Sequence, residues 1–167
     1  MKAPDPEKLN AFVGKLVGDL GACTSAALVR LGDRLGIYKA MADGKAVTAE
    51  DLAEKTGLNA RYLREWLSAQ AAAGYVDYNA KSRKFKLNPE QACAFADEGG
   101  PAFFAGAFEV AQSMWMDEER VAAAFKSGKG VGWHEHSQCL FRGTERFFRP
   151  GYNATTWCRT GFRPCAA

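Results

Sequence analysis

Thr48-Ala49-Glu50-Asp51-Leu52-Ala53-Glu54-Lys55-Thr56-Gly57-Leu58-Asn59, continued by Arg61-Tyr62-Leu63-Arg64-Glu65-Trp66-Leu67, decides the fold. Thr48 with Asp51 three residues later is a capping-box pattern, opening a helix that carries Leu52 and Ala53 on its buried side. Gly57 stops that helix, and Asn59 caps a second one bearing Leu63, Trp66 and Leu67. Two helices crossing at a tight turn need a small residue at the contact (Ala53), a residue tolerant of positive φ in the turn (Gly57) and apolar anchors (Leu52, Leu58, Leu63, Trp66). The pattern is that of a helix-turn-helix. Gly74 ends the second helix, Tyr75-Val76-Asp77-Tyr78 reads as a strand, Asn79-Ala80-Lys81-Ser82 as a turn, and Arg83-Lys84-Phe85-Lys86-Leu87 as the returning strand. With Asn88-Pro89-Glu90 opening a further helix, roughly residues 33 to 95 read as a winged helix.

On the N-terminal side, Asp5-Pro6-Glu7 supplies a cap, a first-turn proline and a first-turn acid. Leu9, Phe12, Val13, Leu16, Val17, Leu20, Cys23, Ala27, Leu28 and Leu31 then recur at steps of mostly three or four, predicting one long helix to about Arg34. Gly14, Gly18, Gly21, Ala22, Ser25 and Ala26 flank the stripe and admit a second backbone, which points to a homodimer contact; packing within one subunit is the alternative. Ile37 to Ala42 reads as a short helix. From Pro101, Phe103, Phe104, Ala107, Phe108, Ala111, Met114 and Trp115 form an apolar helical stripe, and Asp117 begins another helix with Val121, Ala124 and Phe125. The expected class is mainly α: a winged helix-turn-helix with a long N-terminal dimerisation helix and additional C-terminal helices. The divisions are 1–95 for the long helix and winged helix, 96–154 for the helical segment, and 155–167 for an irregular, disordered tail.

The 167 residues carry 22 Lys and Arg against 19 Asp and Glu, a formal charge of +3, which is no polyanion-binding composition. No run reaches about eighteen uninterrupted apolar residues, and the first residues lack the order of a signal peptide, so a cytoplasmic chain without membrane contact is expected. Five cysteines without a CxxC pair argue for neither a disulfide framework nor a zinc site.

Gly128-Lys129-Gly130-Val131-Gly132 has the letters of a phosphate-cradling loop, yet follows a helix rather than a strand and opens no helix, so it reads as a turn. His134 and His136, the only histidines, flank Glu135 beside Trp133. If the stretch is extended, residues two apart share a face, and the pair would look onto one ligand; a closed metal site would lack further histidines. Arg61 and Arg64 on the second helix and Lys81, Arg83 and Lys84 on the wing are the candidate DNA contacts, set against a solvated hairpin on a dimerisation scaffold.

With Gly130-Val131-Gly132-Trp133-His134-Glu135-His136 and Gly143-Thr144-Glu145-Arg146-Phe147-Phe148-Arg149-Pro150-Gly151-Tyr152-Asn153-Ala154, the stretch from about Leu9 to Ala154 resembles the N-terminal part of a bacterial family of class I S-adenosylmethionine (SAM)-dependent methyltransferases. Gly32-Asp33-Arg34-Leu35-Gly36-Ile37-Tyr38 and Asp97-Glu98 before Pro101-Ala102-Phe103 belong to the same likeness. The resemblance implies a dimer-building winged helix, a helical lid over a small-molecule substrate, and pocket residues Trp133, His134, Glu135, His136, Arg149 and Tyr152. It implies SAM as the cofactor of the intact enzyme, bound in a Rossmann-like domain whose strand, glycine-rich turn and acidic residue do not occur here. The expectation is therefore a chain cut short before its chemistry, its tail from Thr155 having the character of an out-of-frame translation. It has no catalytic, cofactor-binding or metal residues of its own, and substrate binds only with a catalytic domain. A stand-alone winged-helix DNA-binding transcriptional regulator is the other reading; nucleic acid is not the expected partner.

Overall fold

The computed structural model describes residues 3–158, with side chains as far as residue 152 at the C-terminal end. Helix α1 spans Pro6–Arg34, its Asp5 cap accepting from the backbone N–H groups of Glu7 and Lys8. There follow α2 (Ile37–Ala40), α3 (Ala49–Thr56), α4 (Ala60–Ala72), β1 (Asp77–Asn79), β2 (Lys84–Lys86) and α5 (Pro89–Phe95). Beyond these lie α6 (Ala105–Met116), α7 (Glu118–Ser127), a 3₁₀ turn at Trp133–Glu135 and α8 (Gln138–Cys158).

The mainly α winged-helix expectation holds, and its caps explain why. Thr48 and Asp51 exchange hydrogen bonds at the start of α3, Gly57 ends it at φ 72°, and Asn88 and Gln91 form a second capping box on α5. Both strands are shorter than their β-rich sequences predict. The hairpin pairs Asp77 with Lys86 and Asn79 with Lys84, and a third piece of backbone joins it where Val47 and Phe85 exchange two N–H···O bonds of 2.8 Å.

The core sits between α1, α4 and the wing. Tyr38 stacks on Phe95 with centroids 4.7 Å apart and meets the edge of Trp66 at 5.1 Å. Its hydroxyl donates to Gln70 Oε1 (2.5 Å), and burial pushes the phenol far above its ordinary pKa. Gly32 makes the α1–α4 approach feasible: a Cβ there would lie 2.3 Å from the Trp66 ring. Trp66 Nε1 donates to the Leu28 carbonyl (2.9 Å), fixing the same contact.

The N-terminal two-thirds of α1 leaves this core behind. Leu9, Phe12, Val13, Leu16, Val17 and Leu20 are all exposed, Val17 by 64% and Leu20 by 68%, and nothing lies within 4 Å of a Cβ placed on Gly14, Gly18 or Gly21. By length and composition alone α1 is apolar enough to cross a membrane, its best window having a mean hydropathy of 1.4. Lys15 and Asp19 interrupt its middle as an exposed ion pair.

Two expectations change. Helix α8 runs to Cys158, across the division expected after Ala154, because helical geometry continues through the buried Pro150; the rest of the expected tail lies outside the described residues. Phe103, read as a stripe residue of the C-terminal helices, precedes α6 and is buried under the Arg146 guanidinium, 5.2 Å above its ring.

Candidate functional site

Helices α6 and α8 lie antiparallel in the closest helix contact of the described residues, because glycines face each other across it. A Cβ on Gly106 would meet Phe147 N at 2.7 Å, and one on Gly143 would meet Val110 N at 2.7 Å. Helix α7 turns away from the end of this pair, so that α6, α7 and the start of α8 enclose an open groove of about 790 Å³. Val110, Met114, Val121, Ala122, Phe125 and Leu140 make its wall, with Phe125 89% exposed.

The polar corner of the groove is Asp117 with His136. Asp117 is buried at the α6–α7 junction, where its carboxylate accepts from Ser137 N (3.0 Å to each oxygen), from Arg120 Nη1 (3.0 Å) and from His136 Nδ1 (3.1 Å). The Ser137 amide and then His136 hold Asp117 below the usual carboxylate range. An ionised carboxylate only accepts, so the shared proton belongs to Nδ1, and in the neutral imidazole the lone pair of His136 is then on Nε2. Ser137 Oγ, at the same corner, is buried without a hydrogen-bond partner among the described residues.

The six pocket candidates do not converge. The Trp133-His134-Glu135 stretch is 3₁₀ rather than extended, so His134 and His136 do not share a face as the alternation rule predicts. Glycine-rich backbone curls there because Glu135 Oε2 accepts from Gly132 N (2.6 Å). His134 is exposed, while Trp133 packs edge-on to Phe141 (5.2 Å) and His136 (6.0 Å). Arg149 lies nine residues along α8 from Leu140, about 14 Å of helix rise, where it pairs with Glu145. Tyr152 lies farther along, its ring 6.4 Å from Phe148.

Sequence reasoning missed a buried ionic hub that ties α6 and α8 to the winged helix. Glu109, fully buried on the apolar α6, accepts from Arg30 Nη2 (3.1 Å), Arg146 Nη1 (3.0 Å) and Arg142. Arg146 also grips Asp33 with both Nη atoms (2.7 and 2.8 Å) and donates from Nε to Glu98 (2.7 Å), whose other oxygen takes Lys39 Nζ (2.8 Å). Lys39 first and Arg146 next hold Glu98 down to about 2, and the Asp33 hydrogen bond raises Arg146. The one available signal was an isolated Glu within an apolar stripe, facing Arg142 and Arg146 one helical turn apart.

On the winged-helix face, Arg64 is paired with Glu50, whereas Arg61, Lys81 and Arg83 are exposed and Lys84 is half-buried. The hollow between α3, α4 and the wing, about 1050 Å³, thus carries Glu50 beside Arg64 and Arg83, and offers a phosphate mixed charge rather than a cationic cradle.

Among the described residues the only sheet is the hairpin, and Gly128 and Gly130, both at positive φ, cap α7 and lead into the 3₁₀ turn with no strand before them. No cluster of three or more metal-ligating side chains occurs among them.

Residues 23–96 match the family model of the Rv2258c-like winged HTH domain, a span that takes in α2 to α5, the wing and the C-terminal part of α1 from Cys23 onward. A winged helix-turn-helix is a DNA-binding-like or regulatory type of module. No curated protein matches the chain.

Proposed function

We propose that these residues form the dimerisation and substrate-lid region of a SAM-dependent methyltransferase acting on a small molecule, non-catalytic without a SAM-binding domain. The observation that carries the reading is the open apolar groove of α6, α7 and α8, anchored to the winged helix by a buried ionic hub. An exposed apolar groove of this kind marks an interaction or ligand-covering surface, and a lid closing on substrate and catalytic domain is such an arrangement. The resemblance of residues 9 to 154 supplies the reaction type.

The exposed α1 ridge supports a homodimer. Burying one Leu or Val of that ridge against a second copy contributes about 1.5–3 kcal/mol, and Gly14, Gly18 and Gly21 allow close backbone approach. Lys15 and Asp19 in the middle of α1 favour a protein partner over hydrocarbon, where charged side chains are costly.

The regulator reading rests on the same winged helix and makes the opposite prediction. Titrating the 167-residue chain with SAM by calorimetry, and with labelled duplex DNA at two salt concentrations, separates the two. The lid reading expects no SAM binding tighter than roughly millimolar and no sequence-selective, salt-dependent DNA binding. Saturable micromolar SAM binding would return the Gly128–Gly132 loop to consideration, and selective DNA binding would replace the lid by the regulator.

A further inference from the structure

We propose that the groove between α6, α7 and α8 binds a compact apolar ring compound bearing a hydroxyl, and that His136 Nε2 accepts the hydrogen bond of that hydroxyl. The inference rests on the lid reading in treating the groove as a substrate-facing surface. At about 790 Å³ the groove falls in the size range of small-molecule sites, roughly 300–1,000 Å³, and like them it combines apolar walls with few convergent polar groups. Those groups are specific. Asp117, pinned by the Ser137 amide and Arg120, accepts the hydrogen bond of Nδ1–H and so makes the neutral His136 imidazole an acceptor at Nε2, for which the described residues supply no donor. Ser113, the other buried polar side chain of the wall, spends its hydroxyl on the Val110 carbonyl (2.7 Å). Glu118 and Lys126 lie at the exposed rim with opposite charges, so the wall selects no net charge. A neutral hydroxyl donor on an apolar ring satisfies the Nε2 acceptor and covers the wall.

Calorimetric titration of the whole chain with 2-naphthol and with 2-methoxynaphthalene, which keeps the ring and oxygen but lacks the donor, tests this. The expected preference for 2-naphthol is about two- to tenfold, the net value of one hydrogen bond exchanged with water. His136→Phe should erase the preference while both compounds still bind. Asp117→Asn should erase or reverse it: the carboxamide oxygen stays with Ser137 N and Arg120, its NH₂ faces Nδ1, and the ring proton moves to Nε2. Nitrogen NMR of the imidazole reads that tautomer change directly, apart from any loss of stability. Equal binding of the two compounds to the wild type overturns the proposal and leaves the lid reading standing. Binding of neither overturns the proposal, since the groove then has no affinity of its own, and leaves the lid reading, in which substrate binds only with a catalytic domain, to the SAM and DNA titrations. A dimer that dissociates on Phe125→Lys gives the groove to a second copy and likewise overturns the proposal.

Discussion

Gly143→Ala is expected to destabilise the protein, although glycine-to-alanine in an open helix interior stabilises it by about 1 kcal/mol. The added Cβ would stand 2.7 Å from Val110 N and 3.0 Å from both Glu109 C and Gly106 O, all backbone atoms of α6 that no rotamer change can move. Restoring an ordinary contact of 3.4 Å means parting the helices by about 0.7 Å at their closest point. Such overpacking costs about 1–3 kcal/mol, and here the displacement also stretches the bonds from Arg142 and Arg146 to Glu109. After the helix-propensity gain, a net loss of about 1 kcal/mol is expected, or about 2–4 °C in Tm for a chain of this length. Thermal unfolding followed by circular dichroism at neutral pH measures it. A Gly143→Ala variant that melts above the wild type would refute the close α6–α8 contact and the hub built on it.

Glu109→Gln leaves Arg30, Arg142 and Arg146 without their common carboxylate in a buried setting, and should cost about 3–5 kcal/mol in urea unfolding. Glu145→Gln, which breaks only the surface pair with Arg149, should leave the midpoint nearly unchanged. Glu98, lowered from 4.5 to about 2, contributes stability present above pH 4.5 and lost as the pH falls toward 2, since the folded state resists the proton that the unfolded state takes up. The Tm difference between wild type and Glu98→Gln should therefore be full at neutral pH and shrink across that window; a difference independent of pH would remove Glu98 from the hub.

The winged helix was legible because its signals are local. Thr48 with Asp51, Gly57, Asn59 and Asn88 with Gln91 act over three or four residues, and each occupies the cap or turn its chemistry dictates. Helix α1 was legible for the same reason, its apolar spacing being carried by the helix itself. The hub was not, since Arg30 and Glu109 are 79 residues apart and Asp33 and Arg146 are 113 apart, and a charged residue beside an apolar stripe looks alike whether it meets water or a distant partner. The backbone that joins the edge of the wing at Val47 escaped notice because it does so through a single bridge. At the candidate site the sequence pointed to His136 but not to its role. Strand alternation paired it with His134, while the group that orients it, Asp117, lies 19 residues earlier at a helix junction.

Multi-angle light scattering of the chain at micromolar concentration tests the central claim, that the bare ridge of α1 exists to meet a second copy. The account predicts a mass near twice the 18.2 kDa of one chain, falling to a single chain in Leu16→Glu/Leu20→Glu with the winged-helix melting transition retained. A wild-type mass of 18.2 kDa, unchanged by Gly18→Leu, would contradict it and remove the dimerisation scaffold from the proposed function.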